Sequence, residues 1–420
     1  MAFETLGLNP GLLTALTRLG FDEPTPIQAA ALPAALNGQD ILASAPTGSG
    51  KTLAFALPLL QSLLAAPRAD AARARGLVLV PTRELAMQVG ETIKSLTQAL
   101  PTLVKVTVVY GGVSINPQML RLRSGTDVMV ATPGRLIDLL DQRALQLGDV
   151  QTLVLDEADR LLDMGFAEEL DHILSLLPHK RHNLFFSATF PKAVQALAQS
   201  LLVEPLRVSV SPDPTELPLI TQRVIQVDTP RRTQLLRHLI QEQKWPRVLV
   251  FVVSKYATEI VADKLRKANI LAEPLHGALS QGKRTQVLTD FKASRIQVMV
   301  ATDLAARGID IAQLPAVVNF DLPRSAVDYV HRIGRTARAG ESGVAVSFVD
   351  DATLAHFRLI EKRNQVSLEV ETIAGFEPTH FKTAAPAGAL IKNPPGTGGI
   401  KGKRPSKKDK LRAGLPPSQS

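Results

Sequence analysis

The chain has 420 residues, of which 45% are hydrophobic, and this is enough for two or three domains with cores of their own. It contains no cysteine, which excludes disulfides, thiolate metal sites and cysteine nucleophiles. We see neither a secretory signal at the start nor an apolar run of the roughly 20 residues that span a bilayer, so we expect a cytoplasmic protein without a membrane partner.

The net charge of +9 is concentrated at the C-terminus. Residues 381–420 contain nine lysines or arginines and one acid, so the first 380 residues carry only +1 of the +9. From about residue 377 the composition is dominated by Pro, Gly, Lys and Ser, which cannot bury enough apolar surface to fold. The pattern predicts a disordered basic tail over residues 377–420, which would attract polyanions without reading their sequence or would serve only solubility.

Short apolar runs alternate with helical segments in both halves of the chain. They lie at residues 40–45, 77–81, 106–110, 128–131, 153–155 and 184–186, and then at 224–227, 248–253, 270–275, 297–301, 316–320 and 344–349. Apolar strands joined by helices indicate α/β domains in which a parallel sheet has helices on both faces. Three prolines at positions 212, 214 and 218 mark a linker. We therefore predict two tandem domains, residues 1–210 and 219–376, joined by a linker at 211–218.

A phosphate-binding loop is predicted where the first apolar run meets a helix. The loop begins with Ala45, where the usual pattern has Gly, and its glycines allow backbone N–H groups to face an anion beside the helix N-terminus. Lys51 would reach the β and γ phosphates, and Thr52 would ligate Mg²⁺. A glycine and serine turn with a chance lysine is the alternative, which the order of strand, loop and helix disfavours. The predicted nucleotide-binding residues are Thr47, Gly48, Ser49, Gly50, Lys51 and Thr52.

A cluster of acids, Asp156-Glu157-Ala158-Asp159, follows the fifth apolar run. In a parallel sheet such residues lie at the carboxyl edge, beside the phosphates. Asp156 would hold Mg²⁺, partly through water, and Glu157 would orient the attacking water. Taken alone, the cluster is also typical of a helix N-terminus.

Three arginines in the second half, Arg332, Arg335 and Arg338, are spaced by three residues. This spacing predicts one helical face, and a row of guanidinium groups suits a multiply charged phosphate. Arg335 and Arg338 could reach from the second domain to the γ phosphate of a nucleotide bound by the first. A solvated basic helix is the alternative.

Together these motifs resemble those of the bacterial DEAD-box ATP-dependent RNA helicases of superfamily 2, over roughly residues 3–350. The resemblance implies two RecA-like domains. It also implies that Phe21 stacks on adenine, that Gln28 hydrogen-bonds the adenine edge and that Asp310 contacts the ribose. A coupling network of hydroxyls, acid and imidazole is implied as well, formed by Asp159, Ser187, Thr189 and His331.

The same resemblance places RNA contacts at strand ends in both domains. These positions offer backbone N–H groups, hydroxyls and guanidinium groups, which suit phosphates and sugars and not base edges. Ser254 and Lys255 depart from the Thr-Arg pair that many family members carry. The implied RNA-binding residues are Pro81, Thr82, Arg83, Gly112, Thr132 and Arg135 in the first domain and His276, Gly277 and Thr302 in the second.

The sequence thus predicts a monomeric ATP-dependent RNA helicase that uses ATP and Mg²⁺. Hydrolysis would be coupled to local unwinding of short duplexes and to remodelling of ribosomal or messenger ribonucleoproteins, in ribosome assembly, RNA decay or cold adaptation. An ATP-gated RNA clamp or annealing factor stays open as an alternative, whereas the Gln28 motif disfavours a DNA helicase of the same superfamily.

Overall fold

The computed structural model of the chain describes residues 2–45, 48–65, 73–100, 102–210, 220–306, 311, 314–337 and 342–379. The predicted linker and the tail from residue 380 onwards lie outside these residues. The described residues form two lobes, each built around its own sheet. The first lobe comprises residues 2–210 and the second comprises residues 220–379.

The first lobe contains a sheet of seven parallel strands in the order β3-β4-β2-β5-β6-β1-β7. The first six correspond to the six apolar runs of this half. The strands are β1 (Ile41–Ser44), β2 (Gly76–Leu79), β3 (Val106–Val109), β4 (Val128–Ala131), β5 (Thr152–Leu155), β6 (His182–Ser187) and β7 (Leu206–Ser209).

Helices cover both faces of this sheet and enclose a separate apolar core on each face. A short 3₁₀ turn at Phe3–Leu6 precedes them. Helices α1 to α4 pack on one face and α5 to α9 on the other, as the two cores show. The helices are α1 (Pro10–Arg18), α2 (Pro26–Leu36), α3 (Lys51–Ala65), α4 (Arg83–Thr97), α5 (Asn116–Leu122), α6 (Pro133–Asp141), α7 (Ala158–Asp163), α8 (Ala167–Ser175) and α9 (Lys192–Leu201).

The second lobe repeats the topology of the first. Its seven parallel strands are ordered β10-β11-β9-β12-β13-β8-β14, which is the order of the first sheet with every strand number raised by seven. The strands are β8 (Ile220–Gln226), β9 (Val248–Phe251), β10 (Ala272–Leu275), β11 (Val298–Ala301), β12 (Ala316–Asn319), β13 (Gly343–Val349) and β14 (Val370–Glu371).

Six helices accompany the second sheet, and serine hydroxyls cap three of them. Ser254, Ser280 and Ser325 accept hydrogen bonds from backbone N–H groups in the first turns of α11, α12 and α14, as expected of N-cap residues. The helices are α10 (Arg232–Gln243), α11 (Lys255–Arg266), α12 (Gln281–Lys292), α13 (Asp303–Ala306), α14 (Ala326–Ile333) and α15 (Leu354–Asn364). None in the described part of the chain is long and apolar enough to cross a membrane.

The sheet register places the predicted motifs along one edge of each lobe. Ser44, Ser187 and Ser209 are paired at the ends of β1, β6 and β7, and Leu79 is paired with Leu155. Because the strands are parallel, the residues that follow them all emerge at the carboxyl edge. The phosphate-binding loop, the acids and the predicted RNA contacts of the first lobe therefore share that edge.

Three features differ from the sequence expectations. The edge strands β7 and β14 fall outside the apolar runs, because most of their residues are partly or fully exposed and their sequences are correspondingly polar. The second lobe also extends three residues into the predicted tail. Both the backbone N–H and the hydroxyl of Thr379 donate to Asp228 Oδ2, at 3.0 and 2.8 Å, and Phe376 packs against the core of this lobe.

Candidate nucleotide and RNA site

The phosphate-binding loop is a tight turn between β1 and α3. Gly48 and Gly50 have φ values of +82° and +95°, a region that side-chain-bearing residues rarely adopt. A Cβ atom at Gly50 would lie 2.5 Å from Gln28 Nε2 and 2.7 Å from Thr25 Oγ1. The close approach of α2 therefore requires glycine at position 50, while Thr47 lies outside the described residues.

Lys51 is buried at the start of α3, where its Nζ donates a hydrogen bond of 3.0 Å to Ala45 O. The ammonium group is thus held at the start of the loop. Its charge is one of the influences that lower the pKa of Asp156. A lysine at the N-terminus of a helix, next to glycines whose backbone N–H groups can face an anion, suits the binding of phosphates.

Asp156 is the most strongly perturbed acid of the cluster. Burial raises its pKa from 3.8 to about 6, Lys51 opposes this shift, and Glu157 and Asp159 add to it. Its Oδ1 accepts a 2.9 Å hydrogen bond from the N–H of Glu157. A buried carboxyl group with a pKa raised in this way is a candidate for a functional site.

The backbone of Glu157 is itself strained. Its φ is +51°, in the left-handed region, and its side chain is buried. Non-glycine residues in this region often lie at functional sites, because the surrounding structure has to hold them there. Here the strain turns the chain from β5 into α7 and keeps Glu157 beside Asp156.

Magnesium fits the oxygen donors at this edge. The described residues contain no group of three or more histidine, aspartate or glutamate side chains arranged to hold a metal. Mg²⁺ usually takes only one or two protein ligands and completes its shell with phosphate and water oxygens. The Asp156 carboxylate and the Thr52 hydroxyl are donors of this kind, and bound Mg²⁺ would offset the negative charge of the phosphates.

Asp159 is hydrogen-bonded to Ser187 and Thr189, and these are three of the four residues in the implied coupling network. Its Oδ2 accepts hydrogen bonds from the N–H and the hydroxyl of Thr189, at 3.0 and 2.8 Å. Ser187 Oγ accepts from the N–H of Asp159 at 3.2 Å and donates to Thr189 O at 2.7 Å. The end of β6 is thereby tied to the acid cluster.

His331 of the second lobe lies close to this network. It lines the same small gap as Arg160 of α7, so α14 lies near α7. Burial lowers the pKa of His331 to about 3, with Arg160 and Arg335 acting in the same direction and Asp159 opposing them. The imidazole is therefore neutral at physiological pH.

Gln28 joins α2 to the phosphate-binding loop. Its Oε1 accepts from the N–H of Thr25 at 3.0 Å, and its Nε2 donates to Gly50 O at 2.9 Å. An amide has two donor and two acceptor positions, of which Gln28, a buried residue, uses one of each here. Phe21, which is 39% exposed, offers a free aromatic face nearby in the chain.

The three arginines of the second lobe do not form one helical row. Helix α14 ends at Ile333, so Arg335 lies in the following turn, and Arg338 lies outside the described residues. Arg332 is buried and bonds to Asp303 through Nε and Nη2, at 2.6 and 2.7 Å. The expected alignment was wrong because glycine at position 334 ends the helix. Arg335 lines a small interlobe gap, whereas Asp310 lies outside the described residues.

The predicted RNA contacts of the first lobe lie on adjoining loops. Thr82 caps α4 by accepting from the N–H of Leu85, and Arg83 packs so closely against Gly112 that a Cβ there would lie 2.5 Å from its Nη1. Arg135 is buried and donates to Val113 O at 2.7 Å, so its guanidinium stabilises the loop that contains Val113. Pro81 precedes α4, and the hydroxyl of Thr132 accepts from the N–H of Gly111 at 3.4 Å.

The predicted RNA contacts of the second lobe differ from one another in exposure and in hydrogen bonding. Gly277 has open space around its Cα, and the hydroxyl of Thr302 caps α13 by accepting from Ala305 N at 3.4 Å. The His276 side chain is buried, and its Nε2 is 2.7 Å from Glu259 Oε1. Of the two residues, Gly277 is exposed whereas the imidazole of His276 is buried.

An ion pair between the lobes was missed in the sequence. Arg284 of α12 donates to Glu84 Oε1 of α4 through Nε and Nη2, at 3.0 and 2.6 Å, and both side chains are almost fully buried. Glu84 lies within a motif that the sequence did identify, but position 284 carries no local signal. The pair holds the two carboxyl edges together.

Comparison with known proteins agrees with this geometry. Residues 25–197 match the DEAD/DEAH box helicase family model, and residues 231–340 match the helicase conserved C-terminal domain. The chain is 39% identical to the DEAD-box ATP-dependent RNA helicase CshA of Bacillus cereus, over 87% of this chain and 69% of CshA. The chain belongs to the DEAD-box ATP-dependent RNA helicases.

Two further members of the family are close to this DEAD-box helicase. The ATP-dependent RNA helicase SrmB of Escherichia coli is 44% identical, over 83% of this chain and 78% of SrmB. The ATP-dependent rRNA helicase rrp3 of Emericella nidulans is 42% identical, over 83% of this chain and 74% of rrp3. The family establishes a protein that hydrolyses ATP and acts on RNA, and the two parallel sheets are its tandem RecA-like domains.

Solved structures of related proteins share the two-lobe fold. Mss116p bound to ssRNA and AMP-PNP has a TM-score of 0.79 at 28% identity, over 90% of this DEAD-box helicase and 80% of Mss116p. S. cerevisiae Dbp5 bound to RNA and ADP BeF3 has a TM-score of 0.76 at 29% identity, over 88% and 95% of the two chains.

Proposed function

We propose that this helicase closes its two lobes on ATP and RNA together and uses hydrolysis to release them. The observation that carries this proposal is the meeting of the acid cluster with α14. The charges of Asp159 and Arg160 in the first lobe act on His331 of the second, and Arg160 lines the same small gap as His331 and Arg335. The buried pair of Glu84 and Arg284 also joins the lobes.

Each catalytic role follows from position. Lys51 and the loop glycines would hold the β and γ phosphates, and Asp156 with Thr52 would hold Mg²⁺. Glu157 would orient the attacking water, because phosphoryl transfer depends mainly on positioning and on charge stabilisation. Arg335, and Arg338 beyond the described residues, would supply positive charge from the second lobe.

RNA would lie along the combined carboxyl edges of both sheets. The loops there present backbone N–H groups, hydroxyls and Arg83, which suit phosphates and sugars. Such contacts grip a strand without reading its sequence. A strand held by both lobes has to follow their shared surface, so closure would separate a short duplex locally. This mechanism suits a monomer that remodels short RNA helices and ribonucleoproteins.

A cytoplasmic role in ribosome assembly fits best, because one close relative is described as an rRNA helicase. RNA decay and cold adaptation are the other processes open to such an enzyme. Crosslinking of RNA to the protein in cells would decide between them. Enrichment of ribosomal RNA precursors supports ribosome assembly, whereas enrichment of messenger RNA alone would contradict it.

The site assignment is tested with Lys51→Ala and Glu157→Gln. Both should abolish RNA-stimulated ATP turnover, and Glu157→Gln should still bind RNA tightly in the presence of ATP because the binding groups remain. ATP turnover equal to that of the parent protein in either variant would refute the assignment. Unwinding of a short labelled duplex, with ATP and with AMP-PNP, separates a helicase from a clamp or annealing factor, since a pure clamp separates strands in neither condition.

A further inference from the structure

Arg160 is a buried arginine next to the acid cluster, and neither the motifs nor the proposed mechanism uses it. It lies in the first turn of α7 and is 5% exposed. Its Nε is 3.5 Å from Glu157 Oε2, which is an ion-pair distance longer than a good hydrogen bond. Both Glu157 Oε2 and Arg160 Nη1 are buried without a hydrogen-bond partner. The two side chains therefore have few other groups to compensate their charges.

The second lobe closes over Arg160. A gap of about 20 Å³ separates them, which is close to the space that one water molecule needs. Its second-lobe walls include two acids, of which Asp303 is already bonded to Arg332. The charged or titratable residues lining the gap are Arg160, Asp303, Asp328, His331, Arg332 and Arg335.

The surroundings limit where the guanidinium of Arg160 can turn. From the second lobe it faces His331, two arginines and two acids, and the acids Asp303 and Asp328 are hydrogen-bonded to Arg332 and Ser325 of their own lobe. The charge of Arg160 helps to lower the pKa of His331. Glu157 is the acid of its own lobe that it pairs with. A closed second lobe excludes water and strengthens this attraction, whereas an ion pair in water is worth little.

We propose that Arg160 is a positioning residue that holds the Glu157 carboxylate in place when the second lobe closes. The proposal rests on the role assigned to Glu157 above. It links lobe closure to hydrolysis through a residue that does not itself touch the nucleotide. An open protein would leave Arg160 hydrated and Glu157 without this restraint, so hydrolysis would be slow until RNA and ATP had closed the lobes.

The proposal predicts different effects on hydrolysis and on closure. Arg160→Gln removes the group that restrains Glu157, so hydrolysis should slow. It also removes a positive charge that faces two arginines and two acids of the second lobe, so gains and losses in charge interaction offset each other and the closed state should form about as well as before. A residue that only supported the fold or the interlobe contact would weaken both properties when replaced.

The test uses the full-length protein with Arg160→Gln, Arg160→Lys, Glu157→Gln and a control, Arg143→Gln, at an exposed position of the same lobe. Two quantities are measured, kcat for RNA-stimulated ATP hydrolysis and the Kd for RNA in the presence of AMP-PNP. Arg160→Gln should lower kcat by roughly 10- to 100-fold, as expected for a misplaced catalytic group, while its Kd should stay within about twofold. Arg160→Lys should recover part of kcat, and the control should match the parent protein.

Unchanged kcat in Arg160→Gln would overturn the inference, and so would a parallel loss of hydrolysis and RNA affinity. Failure of the proposed site is recognised separately. If Glu157→Gln kept its turnover, the role of Glu157 itself would be wrong, whatever Arg160 did. If Glu157→Gln is inactive while Arg160→Gln hydrolyses ATP normally, only the role of Arg160 is wrong.

Discussion

At the residue scale, the site keeps charged and strained groups that the fold alone would not favour. Asp156 is buried with a raised pKa, and Glu157 has a left-handed backbone. Both features lower stability in the absence of ligand, and both place a carboxylate beside the phosphate-binding loop. Such costs are typical of sites shaped for binding or catalysis.

Replacement of Asp156 should therefore stabilise the protein without nucleotide. The folded protein holds the Asp156 proton more tightly than the unfolded chain, because the pKa rises from 3.8 to about 6. Its contribution to stability is thus present at low pH and is lost as the pH rises through about 6. Asp156→Asn should raise the free energy of unfolding at neutral pH by on the order of 3 kcal/mol, while abolishing hydrolysis.

Denaturation of the parent protein and of Asp156→Asn, between about pH 4.5 and pH 8 without nucleotide, measures this effect. The stability difference between the two proteins should grow up to about pH 7 and then level off. A difference that does not depend on pH would contradict the burial of an ionisable carboxylate at this position.

Arg335 should matter to hydrolysis more than to nucleotide binding. It approaches from the second lobe and is expected to act on charge that develops during the reaction. Arg335→Ala should lower kcat by up to about 10³-fold, the lower end of the range for arginine fingers, with little change in nucleotide Kd. Equal losses in kcat and affinity would instead indicate a role in ground-state binding.

At the scale of elements, α4 and α12 carry the interlobe ion pair. Removal of one partner leaves a buried charge uncompensated, which costs about 3–5 kcal/mol in the closed state. Glu84→Arg or Arg284→Glu should each weaken RNA binding in the presence of AMP-PNP, and the double exchange should restore part of the affinity. Lys283→Gln is the matched control, because Lys283 of the same helix pairs with Glu273 within its own lobe.

An interaction between the two positions is the decisive result. The quantity compared is the loss of RNA-binding free energy relative to the parent protein. If the loss in the double variant equalled the sum of the losses in the two single variants, Glu84 and Arg284 would not act as a pair across the lobes.

The sequence predicts the elements well where the signal is local. The apolar runs predict twelve strands, and the glycines and acids that follow them identify the loops at the carboxyl edges. Side-chain partners distant in sequence could not be predicted. Arg135 bonds to Val113, His276 to Glu259 and Arg332 to Asp303, and these contacts exist only once the sheet has assembled. Edge strand β7 was missed because its pairing with β1 depends on residues about 165 positions away, as Leu206 pairs with Ile41.

At the scale of the whole molecule, two lobes of identical strand order are joined by a buried ion pair between Glu84 and Arg284. On the proposed mechanism, ATP and RNA should depend on each other, because each would contribute affinity to the closed arrangement only. We expect the basic tail to act in a different way, by raising the local concentration of RNA near the lobes.

Deletion of residues 381–420 should therefore leave ATP hydrolysis without RNA unchanged. RNA affinity should fall, and its dependence on salt should become less steep, because fewer counterions are released on binding. Titrations of one RNA at several salt concentrations measure the slope. A slope equal to that of the full-length protein would show that the tail does not bind RNA.

The absence of cysteine allows the central claim to be tested directly. Cysteines introduced at the exposed positions Glu168 and Lys267, one in each lobe, can be labelled for energy transfer. We predict a broad distribution of distances with either AMP-PNP or RNA alone, and one closed distance with both. The same distribution in all conditions, or closure by RNA in a Lys51→Ala variant that cannot bind the nucleotide, would contradict a cleft closed jointly by ATP and RNA.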